Sequence, residues 1–427
     1  MKHANPPTLH IIGAGISGLH CAYQASKLGI KCKIFEKSDH CGGLIQTQNI
    51  EGLGIVESAA NGILSNHEVE ILAEELQLTL IPAKETSKNR FLLRKQKLLK
   101  WPLNFLETLE FVACIFRSLF RWKPKTYETL HQWSERVCGP SFSQHVLFPA
   151  LQGVYARDPS QLSASLIFRR FFHPLKNPEF KKRKQKYRGS LSFRGGMFEL
   201  IKALEQHLIQ VGCEFHFSTP VSEVLLEEWK NQSIPVIIST PLHITRGLLK
   251  NMYPIFYRVA EPVESVDLIS ATLFFKEAQN SWLEGFGVLI PRSERFDALG
   301  VLNPHEIFDG RLEKPSQQKV ETWIFKDEIM RLSDEQILSL IQEERQRLSA
   351  NAKAEILSYR IFRWPRAIPY YSVSLERLLE HDAYKSFEKE NIRFVGNWTG
   401  ALSLSQMLAS QRHLVRDFVS QIVGSAT

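Results

Sequence analysis

The sequence has little of what marks a secreted, fibrous or metal-built protein. Its six cysteines (Cys21, Cys32, Cys41, Cys114, Cys138, Cys213) are scattered, with no C-x-x-C pair and no histidine at metal-ligand spacing from them. Neither a disulfide framework nor a zinc site is indicated, and buried free thiols in a reducing compartment are the expectation. The apolar stretch Leu9 to Ile12 is too short for the core of a secretory signal, so a cytoplasmic protein is expected. Internal repeats and low-complexity linkers are absent. With 44% hydrophobic and 23% charged residues, 23 Gly and 20 Pro, disorder, collagen and coiled coil are excluded. At 427 residues and roughly 150 per domain, two or three domains and a large core follow.

Broad basicity is missing too. The formal net charge is +8, yet Lys181, Lys182, Arg183, Lys184, Lys186 and Arg188 supply six positive charges in one short run, and without them the net would be +2. That is one local patch. It lacks stacking aromatics beyond Tyr187, so no nucleic-acid partner is expected.

What is present starts at His10. The segment His10-Ile11-Ile12-Gly13-Ala14-Gly15-Ile16-Ser17-Gly18-Leu19 reads as strand, glycine turn and helix start, which is G-x-G-x-x-G in its proper context. Gly13 allows a tight turn, Gly15 lets backbone approach a pyrophosphate, and Gly18 lets helix pack close on strand. A second strand, Lys31 to Phe35, ends at Glu36, placed to bind both hydroxyls of an adenosine ribose and to repel a 2′-phosphate. The continuation Glu36-Lys37-Ser38-Asp39-His40-Cys41-Gly42-Gly43 carries a second glycine pair. It resembles the flavoprotein superfamily of amine oxidases, phytoene desaturases and protoporphyrinogen oxidases, which implies FAD as cofactor. Leu44 stands where that superfamily usually has Arg or Lys, and Ala59-Ala60 where it is usually Gly-rich.

Further strands and helices of the nucleotide-binding domain are expected after a long insertion: a helix through Leu200, Leu204 and Leu208, strands near Phe215 to Phe217 and Pro235 to Ser239, a strand Ile392 to Val395, and a helix Ser405 to Val423. Between about Leu268 and Ile324 the chain alternates apolar and polar residues, as in an antiparallel sheet. From Trp101 to Lys123 one helix has an apolar arc of Phe105, Leu106, Leu109, Phe111, Val112, Ala113, Ile115, Phe116, Leu119 and Phe120, more than half its circumference. Its longest unbroken apolar run, Phe111 to Phe116, is far below the ~18 residues of a bilayer span. Burial on several sides and a surface that dips into lipid are both open readings of it.

Three segments carry a narrower resemblance: Leu147-Phe148-Pro149-Ala150-Leu151-Gln152-Gly153-Val154-Tyr155-Ala156-Arg157-Asp158-Pro159, then Leu283-Glu284-Gly285-Phe286-Gly287-Val288-Leu289-Ile290-Pro291, then Arg363-Trp364-Pro365-Arg366-Ala367-Ile368-Pro369. With these, the chain is similar over nearly its whole length to the oxygen-dependent protoporphyrinogen oxidases. The resemblance implies an α/β (α+β) fold in three parts: a Rossmann-like FAD-binding domain (1–62, 188–245, 381–427), an antiparallel-sheet substrate-binding domain (63–86, 246–380) and an inserted helical membrane-binding region (87–187). It implies six-electron oxidation of a porphyrinogen, with dioxygen as acceptor and hydrogen peroxide as product. It assigns Arg90 to a substrate propionate, and Phe286, Leu289 and Leu302 to the tetrapyrrole faces. To the cofactor it assigns Gly13, Ala14, Gly15, Ile16, Ser17, Gly18, Glu36, Gly42, Gly43, Leu44, Ala59, Ala60, Asn61, Gly62, Val221, Gly396, Asn397, Leu402, Ser403 and Leu404. Ala401 and Gln411 replace family glycines. No catalytic acid, base or metal is assigned.

Peripheral attachment to the inner face of a bacterial cell membrane is expected on the same ground, with a homodimer left open. Coproporphyrinogen oxidation is the first competing reading, a flavin-free binding protein of the same fold the second, and amine oxidation or carotenoid desaturation a third.

Overall fold

The computed structural model describes residues 8–118, 121–172, 184–276, 283–349 and 354–424. A five-stranded parallel sheet runs in the order β10 (Glu214–His216), β2 (Cys32–Phe35), β1 (Leu9–Ile12), β11 (Val236–Ile238), β17 (Ile392–Phe394). Its strands are short and, apart from the edge strand β10, almost wholly buried, as parallel strands covered on both faces must be. Helix α1 (Ile16–Ser26) follows β1 directly and packs against two later helices, α5 (Phe198–Gln210) and α7 (Leu404–Gly424). Leu19 and Ala22 of α1, Leu204 of α5 and Val415 of α7 share one core.

The second large sheet has seven strands in the order β16 (Ile356–Pro369), β12 (Ser265–Lys276), β15 (Gln318–Lys326), β14 (Gly300–Leu302), β13 (Gly287–Leu289), β7 (Arg90–Arg94), β8 (Lys97–Leu99). Its pairs are antiparallel except β13 with β7. Helix α6 (Asp334–Leu348) covers one face, where its Ile337 and Ile341 share a core with Phe91, Leu93, Val288, Val301 and Trp323. Two small sheets join the halves: β3 (Thr47–Ile50) with β4 (Gly54–Glu57), and β5 (Ile63–Leu64) and β6 (Leu80–Pro82) on either side of β9 (Ser190–Phe193).

Two boundaries differ from the expected division. The resemblance puts residues 63–82 in the substrate-binding domain, but β5 and β6 pair with β9, and helix α2 (His67–Glu75) sinks Val69, Leu72 and Ala73 into the core beneath α1 and α7. It puts residues 90–99 in the helical region, and they instead extend the seven-stranded sheet as β7 and β8.

Helix α3 (Phe105–Ser118) is built inside out. Its apolar arc points outward, with Phe105 75%, Leu106 74% and Phe116 69% exposed and Leu109, Val112 and Ala113 also exposed. Its polar residues dock inward: Glu107 pairs with Arg94 at 2.7 Å, Glu110 accepts from Ser141 Oγ, and buried Ser118 donates to the Val137 carbonyl. Phe111 and Ile115 alone among its large apolar side chains pack on the core. Trp101, Trp122 and Phe171 add exposed apolar surface nearby. Of the basic run, Lys181 to Arg183 lie outside the described residues, and Leu119 and Phe120 do too.

Candidate active site

At the end of β1, Gly13 takes φ +102° and turns the chain into α1. A Cβ on Gly18 would collide with the Gly13 carbonyl oxygen and lie 2.7 Å from Ser239 Oγ, which itself donates to the carbonyls of Ile12 and Gly13. Gly15, the residue before the helix, has no side-chain cap and only open space where a Cβ would stand. The amides at the start of α1, including those of buried Ile16 and Ser17, are therefore left for a ligand, the arrangement that suits a pyrophosphate. The second glycine pair forms the facing wall: Gly42 N–H donates to the Ala14 carbonyl at 2.9 Å, and a Cβ on Gly43 would sit 3.5 Å from Gly15 Cα. Glu36 accepts from Ala14 N–H at 2.7 Å on one carboxylate oxygen and from Ser38 N–H at 2.9 Å on the other. Each oxygen retains a lone pair for a ribose hydroxyl. Thr219 N–H donates to the Glu36 carbonyl at 2.8 Å, which sets Val221 beside this end of the groove. Exposed Leu44 offers no cation; its carbonyl accepts from Ser58 Oγ at 2.8 Å and holds the loop by backbone alone.

At the other end, Gly396 (φ +131°) turns the chain after β17 into Asn397, whose Nδ2 donates to the Ala367 carbonyl at 3.0 Å. Tyr371 donates its hydroxyl to the Asn397 carbonyl at 2.6 Å, and burial pushes that phenol well above its ordinary range, so it stays a donor. Leu402 packs on the core, Ser403 and Leu404 open α7, and Ser403 Oγ is buried with no hydrogen-bond partner. Among the described residues, the N–H groups of half-buried Ala59, Ala60, Asn61 and Gly62 make no hydrogen bond either. An unpaired hydroxyl at such depth is costly. A flat heterocycle edged with carbonyl oxygens and ring nitrogens matches these groups, so these residues fit a flavin.

The second face of the seven-stranded sheet, away from α6, looks toward these loops. Strand alternation puts Arg90, Leu92, Leu289 and Leu302 on the face opposite α6, with Ser270, Thr272, Thr322, Ile324 and Trp364 across the same surface. Trp364 Nε1–H donates to the Ser58 carbonyl at 2.9 Å and ties this face to the loop before Ala59. The Thr272 and Thr322 hydroxyls pair at 2.9 Å, while Ser270 Oγ is buried without a partner. At the edge, the exposed Arg90 guanidinium lies 4.4 Å from the centre of the Phe286 ring, and Phe286 N–H donates to the Asn89 carbonyl at 2.8 Å. Helix α4 (Phe148–Tyr155) forms a wall over β13, where a Cβ on Gly153 would strike Leu289 Cδ2. All four residues expected at the substrate thus fall at one end of one sheet.

Three further residues matter that the sequence analysis did not assign to the site. Arg311 and Glu57 form a buried pair beside the 58–62 loop, and Trp364 was visible only as part of a motif. The departure at Gln411 has a local reason. Its Oε1 lies 3.0 Å from Nδ1 of fully buried His20, whose Nε2 meets Glu68 at 3.2 Å, so α1, α2 and α7 share a polar joint where a glycine would leave His20 half satisfied.

The description of flavin containing amine oxidoreductases matches residues 16–404. The chain belongs to that family. It is an FAD-dependent oxidoreductase. Relatives include protoporphyrinogen oxidase 2, chloroplastic/mitochondrial, of Arabidopsis thaliana, 24% identical with 94% of this chain and 91% of the relative covered. Mitochondrial protoporphyrinogen oxidase of Nicotiana tabacum is 24% identical with 96% and 94% covered. Among solved structures, a chain from Exiguobacterium provisionally named a protoporphyrinogen oxidase superposes with TM-score 0.75 at 17% identity, covering 97% of this chain and 99% of that one. That likeness establishes the flavoenzyme fold.

Proposed function

We propose that this flavoenzyme oxidises protoporphyrinogen IX to protoporphyrin IX, removing six electrons and six protons in three rounds while three dioxygen molecules become hydrogen peroxide. One observation carries the reading: the sheet face beside the flavin loops sets Leu289, Leu302, Ile324 and Trp364 on one surface, with the exposed Arg90 guanidinium at its rim. Bound FAD supplies a two-electron acceptor for each round. The chain's own residues bind and orient. Arg90 takes a propionate by charge-assisted hydrogen bonds, Phe286 backs its guanidinium, and Leu289 and Leu302 exclude water from the macrocycle face. Similarity to plant protoporphyrinogen oxidases over more than nine-tenths of the chain supports the choice of substrate.

Anaerobic mixing of the purified protein with protoporphyrinogen is expected to bleach the flavin absorbance as porphyrin fluorescence grows; an unbleached flavin would end the proposal. Faster turnover of coproporphyrinogen would move the assignment to the four-propionate substrate. Arg90→Ala is expected to raise KM about 10- to 100-fold, the value of one or two hydrogen bonds to a charged group, with flavin content unchanged. An unaltered KM would place the propionate elsewhere. Gly153→Val, which pushes α4 against Leu289, is expected to lower kcat/KM roughly tenfold, at the low end of overpacking costs, again with full flavin occupancy.

The reading includes a lipid surface, with attachment to the inner face of a bacterial cell membrane. The outward apolar arc of α3, flanked by Trp101, Trp122 and Phe171, has the form of a face that sits in the headgroup layer. No helix among the described residues is long and apolar enough to cross a membrane. A poorly soluble macrocycle would then reach the sheet face from the bilayer side.

A further inference from the structure

Arg311 lies in the segment that leads from β14 to β15, and its backbone is fastened to β4. Ile55 N–H donates to the Arg311 carbonyl at 3.3 Å, Gly54 and Leu312 form an isolated bridge, and Glu313 N–H donates to the Leu53 carbonyl at 3.0 Å. The side chain is 2% exposed. Its Nη1 donates to Glu57 Oε1 at 2.6 Å, and its Nη2 to the Asn61 carbonyl at 2.8 Å and to Ser192 Oγ at 2.6 Å. Glu57 is held from the nucleotide side as well, by Met197 N–H at 2.9 Å and Thr47 Oγ1 at 2.6 Å. Phe308, 5.2 Å from the guanidinium, closes the back of the loop: a Cβ on Gly62 would meet its ring at 2.7 Å and the Leu191 carbonyl at the same distance.

A buried ion pair of this kind adds little net stability, because desolvation offsets most of the attraction. What it fixes is direction. We propose that Arg311 is a positioning residue for the flavin, acting through the peptide between Asn61 and Gly62. No described peptide bond is cis, and in a trans peptide the carbonyl and the following N–H point opposite ways. By holding the Asn61 oxygen, Arg311 turns the Gly62 N–H away from itself as a free donor, on the stretch whose four amides have no other partner. The flavin's hydrogen-bond donor is thereby set from the chain that builds the substrate face, whichever substrate that face takes.

The test compares Arg311→Met, Arg311→Lys and the double variant Glu57→Gln/Arg311→Met, which removes both charges while leaving a side-chain amide at position 57 whose oxygen still accepts from Met197 N–H and whose NH2 can donate to Thr47 Oγ1. For each, FAD affinity is measured by fluorescence titration of the apoprotein, and the flavin midpoint potential by dye-equilibrated reduction. The double variant is expected to keep the wild-type melting temperature, to bind FAD roughly tenfold more weakly, and to show a lower midpoint potential, since a donor that favours the electron-rich reduced ring has lost its orientation. Arg311→Lys should recover part of both changes. Wild-type affinity and potential in a folded double variant would overturn the proposal. Hydrogen exchange on the unmodified chain provides a second measurement. FAD added to the apoprotein is expected to slow exchange at 308–313 as well as at 58–62, and slowing confined to 58–62 would refute the coupling.

Discussion

Gly18→Ala is expected to give a colourless protein. The added methyl would collide with the Gly13 carbonyl oxygen and crowd Ser239 Oγ, and neither can retreat cheaply, since one is backbone and the other is held by two carbonyls of β1 and the turn after it. Overpacking costs ~1–3 kcal/mol where side chains can adjust; with backbone in the way, α1 must shift off β1, and about 3 kcal/mol or more charged against binding is at least 100-fold in FAD affinity. Gly15→Ala is the control. Its methyl meets nothing within 4 Å, so the apoprotein should melt as wild type does while its FAD affinity falls, because the methyl occupies the groove. A yellow Gly18→Ala protein with full flavin stoichiometry would contradict the account of the turn.

The second large effect is on lipid. Phe105→Ser with Phe116→Ser removes two phenyl rings that are mostly exposed and contribute almost nothing to the folded core. If each ring enters the bilayer at ~1.5–3 kcal/mol, the pair should weaken partitioning about 10²- to 10⁴-fold, with melting temperature and flavin content unchanged. Flotation with vesicles containing anionic lipid reads this directly. A doubly substituted protein that still floats would show that α3 is not the face in contact.

The two stretches above differ in how far the sequence revealed them. The turn at Gly13 to Gly18 was legible because each glycine answers a separate steric demand within one short segment, and β12 because the period-two set Leu268, Ser270, Thr272 and Phe274, interleaved with Ile269, Ala271 and Leu273, is a local signal. Periodicity also located α3. It could not tell which arc docks, since a polar arc reads as solvent-facing until Arg94 and Ser141 are brought to Glu107 and Glu110 from other elements. Residues 63–82 were placed by the resemblance, and periodicity could not have corrected it: the apolar face of α2 fits any core, and only contact with α1 and α7 selects one. Strands β7 and β8 went to the helical region because β7 finds its place only by pairing with β13, nearly two hundred residues downstream. Arg311 had no periodic or motif context, so its bonds to Glu57 and Asn61 exist only in three dimensions.

The nucleotide sheet closes late in chain order. Strand β17 pairs with β11, and Leu408, Val415 and Phe418 of α7 complete the core that α1 begins. Domains generally fold as units while the chain emerges from the ribosome, yet here the helix that completes the core around α1 begins nearly four hundred residues downstream of it. The core beneath the nucleotide groove is therefore complete only once α7 has been made, and until then α1 has α5 to lie against but not α7.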